Sequence, residues 1–258
     1  MTPFIETART LGDCHLRSLV PRYHAPEAQI ICIPGSGHGW WAWRDWLPAF
    51  AACGFGAHAL SFPNHTDAPA LPEARFCALT LEDYVMQVRA VAAELGGPAV
   101  LVGHSLGGVV AQVAAQEMRL AALILVASAG PRQLGRTRAE DYPAERPVMF
   151  DPSAARARWF FDAEPAVIEW AIARISPESP GVLNGSGGRA EVDPARITCP
   201  VLVVKAARDA SSVPPGERLA ALYGATLIEV PEAGHDLMLE RTALRTARRV
   251  LAWLDGIR

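Results

Sequence analysis

Residues 29–33, 57–60, 99–102, 123–127, 201–204 and 226–230 are short runs rich in Val, Ile, Leu and Ala, most of them soon followed by Gly or Pro. They are apolar throughout rather than alternating, as strands buried on both faces require. Helical patterns fall between them. Thr80 precedes Asp83 at capping-box spacing, which predicts a helix to about Leu95, before Gly96-Gly97. Residues 106–118 are apolar almost all round, as a helix against a sheet should be. Near the end, Leu244, Ala247, Leu251 and Leu254 share one predicted helix face, with Arg241, Arg245, Arg248 and Arg249 on a solvated one. Strands alternating with helices lead to an α/β fold, a mostly parallel doubly wound sheet covered on both faces.

Residues 131–196 break the alternation. They hold no run of the buried-strand kind, but they carry Trp159, Phe160, Phe161, a helical stretch near 165–175 and a Gly/Ser loop at 185–188. The aromatics argue for packing rather than a disordered linker. The 258 residues are therefore read as one core, 1–130 plus 197–258, with 131–196 as a helical cap inserted over the C-terminal edge of the sheet. The first 28 residues should form a short antiparallel hairpin, with a strand near 14–19.

Composition narrows the function classes. Half the residues are hydrophobic and a fifth charged, which excludes a disordered chain. The longest apolar stretch, 120–127, is far short of the roughly 20 residues of a membrane span. A net charge of −3 gives no footprint for nucleic acid. No apolar run behind a basic head marks a signal peptide, so a cytoplasmic protein is expected, and the glycosylation patterns at Asn64 and Asn184 are idle. Five scattered cysteines read as free thiols. No His/Cys pair has zinc spacing, and neither metal nor cofactor is expected. The oligomeric state is open between monomer and homodimer.

The sharpest chemical signal is Gly103-His104-Ser105-Leu106-Gly107, which follows one predicted strand and opens a helix. Such a turn strains the serine backbone and lifts its hydroxyl above the sheet at a helix N-terminus. A serine hydroxyl needs a base. His235, in the loop after the last strand, lies at the same edge; His38 and His65 are fallbacks, and His104 should diverge from its neighbour. The base needs an anion. Asp209, after the strand at 201–204, supplies it, whereas Asp236 should point away from the adjacent ring. An oxyanion hole would use the N–H of Leu106 and that of Ser36 in Pro34-Gly35-Ser36-Gly37-His38-Gly39. That loop is no dinucleotide fingerprint: the third glycine position holds Trp40, and the next strand ends on Ser61, not an acid.

These segments resemble the α/β-hydrolase superfamily, and within it the branch of plant methyl esterases and hydroxynitrile lyases. The likeness rests on residues 34–43, 103–108, Arg208-Asp209 before Val213-Pro214, Gly234-His235-Asp236-Leu237, and Trp159-Phe160-Phe161, Glu169-Trp170-Ala171 and 176–179 in the inserted segment. It implies the triad Ser105, Asp209, His235, the oxyanion donors Ser36 and Leu106, and an acyl pocket under the cap, with Gly35, Trp159 and Phe160 as candidate substrate contacts. Pro34 stands where many members have histidine, and Lys205-Ala206-Ala207 where a glycine is common. Asn64 replaces a turn glycine and can adopt its left-handed conformation.

The leading expectation is a serine carboxylesterase acting on a small or medium apolar ester. A hydroxynitrile lyase-like or perhydrolase activity in the same site is the alternative, as is a small-molecule receptor with little turnover. The branch's lyases use a threonine in the oxyanion loop and a lysine after the histidine; here those positions are Gly35 and Asp236. Epoxide hydrolase and haloalkane dehalogenase activities are disfavoured, because both need a carboxylate nucleophile where Ser105 stands.

Overall fold

A computed structural model describes residues 3–136 and 140–257. Eight strands form one sheet: β1 Phe4–Leu11, β2 Cys14–Pro21, β3 Gln29–Ile33, β4 Gly56–Ser61, β5 Ala99–His104, β6 Leu120–Val126, β7 Val201–Ala206 and β8 Thr226–Val230, in the order β1-β2-β4-β3-β5-β6-β7-β8. The first two form the expected antiparallel hairpin, and β2 also runs antiparallel to β4. From β4 to β8 every pairing is parallel. Each apolar run of the sequence is one of these strands.

The uniform apolarity of the strands is explained by two cores. Ile30, Cys32, Val100, Val102, Ile124 and Val126 face one side of the sheet, and Ile31, Ile33, Leu101, Leu123 and Leu125 face the other. At about 1.5–3 kcal/mol for each fully buried aliphatic side chain, either face would be a heavy liability uncovered. Helices α1 Trp46–Ala52 and α9 Ala243–Gly256 close the first side. On the second lie α3 Leu81–Leu95, α4 Leu106–Ala115 and α8 Gly216–Tyr223, with the short α2 Glu73–Cys77 nearby. Thr80 and Asp83 form the capping box at the start of α3.

The α9 face differs from the expected one. Leu244 is 51 % exposed, and the buried stripe is Ala243, Thr246, Ala247, Val250, Leu251 and Leu254. A helix in the sheet groove is oriented by its whole stripe, and small residues at 243 and 247 allow the closer approach.

Between β6 and β7 the chain leaves the sheet and forms α5 Pro152–Trp159, α6 Pro165–Ile172 and α7 Pro180–Gly185. Each begins with Pro in its first turn, where the missing N–H is harmless. Among the described residues its one β contact is a bridge between Val148 and Glu178. No helix among the described residues is long and apolar enough to cross a membrane.

Candidate active site

All the parallel strands end on one edge, and the loops leaving them enclose a cavity of about 350 Å³. Ser36, Ser105, Leu106, Trp159 and His235 line it, as do His38, Tyr142, Met149, Phe150, Arg158, Leu183, Ser211 and Val213.

Ser105 links β5 to α4 at φ 50° and ψ −117°, outside the regions that L-residues favour. Three hydrogen bonds hold it there. Its N–H donates to the Val126 carbonyl (3.2 Å), and its own carbonyl accepts from Gly108 (3.0 Å) and Ala129 (2.9 Å). The flanking glycines are needed for space: a Cβ on Gly103 would lie 2.4 Å from the Gly107 carbonyl oxygen, and one on Gly107 2.4 Å from those of Ile33 and Pro34. The half-buried Ser105 hydroxyl thus stands beside the free amides of the first turn of α4.

His235 Nδ1 lies 2.8 Å from Asp209 Oδ2 and 3.0 Å from Ser211 Oγ. Asp209 Oδ1 accepts from the Ser211 N–H at 2.7 Å. Burial would raise the Asp209 pKa, but the His235 charge and these hydrogen bonds outweigh it and hold the carboxyl below its usual value. The His235 loop is tied down from the excursion: Asp236 N–H donates to the Trp159 carbonyl (2.9 Å), and the Glu240 carboxylate accepts from Gly234, Phe161 and Asp162.

The other candidate bases are already engaged. His38 bonds Ser36 O through Nδ1 (2.8 Å) and Asp236 Oδ2 through Nε2 (3.1 Å). His65 is buried beside Glu178. His104 diverges from Ser105 and places Nε2 3.1 Å from the His235 carbonyl. Burial and the neighbouring His235 push its pKa down to about 3, so it is neutral. Asp236 turns away from the His235 ring, as expected, towards His38. Donor atoms of His104, His235 and Asp236 lie within 4.8 Å of one another, a spacing that could hold a metal ion. Each side chain has one partner named above, while His104 Nδ1 and Asp236 Oδ1 have no hydrogen-bond partner among the described residues.

The sequence candidates separate at this point. Trp159 lines the cavity, whereas Phe160 does not; it caps the end of α5 and packs on the core, which corrects its expected place at the substrate. Gly35 sits behind the cavity wall, where a Cβ would come 2.7 Å from His104 Nδ1 and 3.1 Å from Ser105 Cβ. Met149, Phe150, Leu183 and Val213 were missed because an isolated apolar loop residue has no periodicity to mark it. Asn64 adopts φ 63°, the left-handed turn conformation expected of it.

The sequence model described as "Alpha/beta hydrolase family" matches residues 30–249. No curated protein matches the chain. Among solved structures, a thermophilic esterase from Thermogutta terrifontis is similar at 22 % identity and TM-score 0.72, covering 98 % of both chains. An enol-lactonase from Burkholderia xenovorans has 20 % identity and TM-score 0.73, covering 96 % of this chain and 100 % of its own. A methylesterase from Arabidopsis has 16 % identity and TM-score 0.73, over 89 % of this chain and 99 % of its own. At these identities the likeness is one of fold. The family match spans the sheet from β3 to α9, so this chain belongs to the alpha/beta hydrolase family.

Proposed function

We propose that the protein is a serine carboxylesterase that cleaves a small or medium apolar ester through an acyl-enzyme. The observation that carries this reading is the 2.8 Å contact between Asp209 and His235 on the cavity that holds Ser105 in its strained turn. With Asp209 as acceptor, the imidazole proton sits on Nδ1 and leaves Nε2 free to accept. His235 Nε2 then takes the Ser105 proton as Oγ attacks the ester carbonyl. The carbonyl π electrons move to oxygen, where the Ser36 and Leu106 N–H groups receive them. Collapse expels the alcohol, protonated by His235, and leaves the acyl group on Ser105. Water, deprotonated by His235, attacks the acyl carbon; collapse releases the acid, and His235 returns the proton to Ser105 Oγ.

Apolar walls from Val148, Met149, Phe150, Trp159, Leu183 and Val213 favour a hydrocarbon acyl or alcohol group, with residues 131–196 acting as the cap. Solved neighbours described as an esterase, a methylesterase and an enol-lactonase support an ester bond as the target. Cyanohydrin cleavage is disfavoured. Gly35 offers no hydroxyl, and Asp236 is a buried carboxylate bonded to His38 where a cation would be needed. The test is turnover of p-nitrophenyl acetate, butyrate and longer esters, alongside cyanide release from mandelonitrile. Ester turnover lost in Ser105→Ala supports the reading. Cyanide release without ester cleavage replaces it with a lyase, and binding without turnover replaces it with a receptor.

A further inference from the structure

The loop from Gly35 to His38 is a turn closed by the His38 N–H on the Gly35 carbonyl (3.1 Å), with Gly37 at φ +69°. A positive φ at the third position is the type II arrangement, in which the middle peptide, here Ser36–Gly37, can flip at modest cost. That peptide is gripped on both sides. Its carbonyl meets His38 Nδ1 at 2.8 Å, and its N–H donates to Glu178 Oε2 at 3.1 Å. The next carbonyl, of Gly37, accepts from the Ser176 N–H at 2.9 Å.

Each gripping group belongs to a buried charge pair. The His38 ring faces a carbonyl at Nδ1 and the Asp236 carboxylate, 3.1 Å away, at Nε2. With Asp236 ionised both partners accept, and both ring nitrogens then carry protons, the state towards which the raised His38 and lowered Asp236 pKa values point. His65 repeats the pattern. Nδ1 is 2.9 Å from the Pro63 carbonyl, and Nε2 is 3.2 Å from Glu178 Oε2, off the hydrogen-bond direction. A bare lone pair on Nε2 would face an ionised carboxylate, and the raised His65 and lowered Glu178 pKa values point to the protonated ring here too. Glu178 Oε1 also accepts from the Tyr84 hydroxyl (2.7 Å) and the Ser179 N–H (2.9 Å).

We propose that the pairs His38–Asp236 and His65–Glu178 lock the Ser36–Gly37 peptide from opposite sides and so hold the turn whose first peptide, Gly35–Ser36, offers the Ser36 N–H to the developing oxyanion, which makes His38 and Glu178 positioning residues. The proposal rests on the hydrolase reading above. Electrostatics agree with the geometry. Burial alone would lower both histidine pKa values, and His65 lowers that of His38, yet the carboxylate partners raise both; Glu178 and Asp236 are lowered in return. The remaining titratable neighbours are Tyr84, which is held neutral, His104, which is neutral at Asp236 Oδ1, and His235.

The experiment measures kcat and KM for p-nitrophenyl butyrate from pH 5 to 10 in wild type, Ser105→Ala, Glu178→Gln, His38→Asn and His38→Gln. Glutamine at 178 keeps the shape and removes the charge. Asparagine at 38 retains a donor near the Nδ1 position for Ser36 O, whereas glutamine retains one near Nε2 for Asp236. A misdirected oxyanion donor forfeits about 10²–10³ in kcat. The expected results are a loss of that order in Glu178→Gln with KM within about threefold, and a kcat at least about tenfold higher in His38→Asn than in His38→Gln. A purely structural role would not split those two isosteres by which nitrogen they mimic. Should Glu178→Gln fail to fold, the His38 pair decides alone. Folded Glu178→Gln and His38→Gln enzymes with wild-type kcat, or equal kcat in both His38 variants, overturn the lock while leaving the hydrolase reading intact. Activity surviving in Ser105→Ala overturns that reading, and the lock with it.

Discussion

Asp209→Asn tests the catalytic reading through a single proton. In the native site Oδ1 accepts from the Ser211 N–H at 2.7 Å and Oδ2 faces His235 Nδ1 at 2.8 Å. Asparagine has only one oxygen, and the Ser211 amide, a fixed donor, will claim it. The new NH2 group then faces Nδ1 and forces that nitrogen to accept, so the ring proton moves to Nε2. A protonated Nε2 cannot take the proton of Ser105. In a comparable triad this swap reduces kcat about 10⁴-fold, which is about 5.4 kcal/mol at 1.36 kcal/mol per decade. One local feature softens it: Ser211 Oγ, 3.0 Å from the same nitrogen, can accept the Nδ1 proton and keep part of the right tautomer. The expected losses are therefore about 10³–10⁴ for Asp209→Asn, under tenfold for Ser211→Ala, and a double variant worse than Asp209→Asn alone. Initial rates on p-nitrophenyl butyrate at pH 8 measure all three. Asp209→Asn activity within tenfold of wild type would refute the assignment of Asp209.

Ser105→Gly should be more stable than Ser105→Ala, because only glycine relieves φ 50°, ψ −117°; with strain worth about 1–3 kcal/mol, offset in part by chain entropy, calorimetry should show a Tm several degrees higher, and equal Tm values would contradict the strain. On α9, Leu254→Ala should destabilise by about 2–5 kcal/mol and Leu244→Gln by less than about 0.5 kcal/mol, since Leu254 is 4 % and Leu244 51 % exposed; urea unfolding of both checks the corrected helix face. Stability should be greatest in a mildly acidic window, between the ordinary carboxylate and histidine ranges. The raised pKa values of His38 and His65 stabilise fully below the ordinary histidine value of about 6.5 and lose that effect as pH rises through their folded values. The depressed pKa values of Asp209, Glu178 and Asp236 stabilise above the ordinary carboxylate range and lose that effect as pH falls. A scan of Tm against pH that rises steadily into alkali would contradict the buried imidazolium pairs.

What the sequence revealed followed how local each signal is. The elbow at Ser105, the capping box at Thr80 and the turn at Asn64 are made by neighbours, so their residue types announce them. The strands were legible because burial on both faces leaves unbroken apolar runs. That Ser105, Asp209 and His235 reach one edge was legible because each follows a strand of the parallel sheet. Glu178 was not, since its partners Gly37, His65 and Tyr84 come from three other segments. A lone glutamate within an insertion looks like surface. Leu244 misled for the opposite reason: one large apolar side chain was weighed above the small residues that set the approach of α9.

The bridge between Val148 and Glu178 bears on how far the excursion can be treated as a removable part. Glu178 exchanges both backbone hydrogen bonds with Val148 at 2.9 Å, and Val148 is a wall of the cavity. Its side chain meanwhile reaches across to Gly37. One residue is therefore shared between the surface that shapes the entrance and the turn beneath the serine. Replacing the excursion with a foreign segment, or trimming it to widen substrate range, would strip partners from Gly37, His65 and Tyr84 unless 176–179 were kept. Changes confined to α5 and α6 leave that anchor in place, with Trp159 the exception, since its carbonyl holds Asp236 and its ring lies against His38.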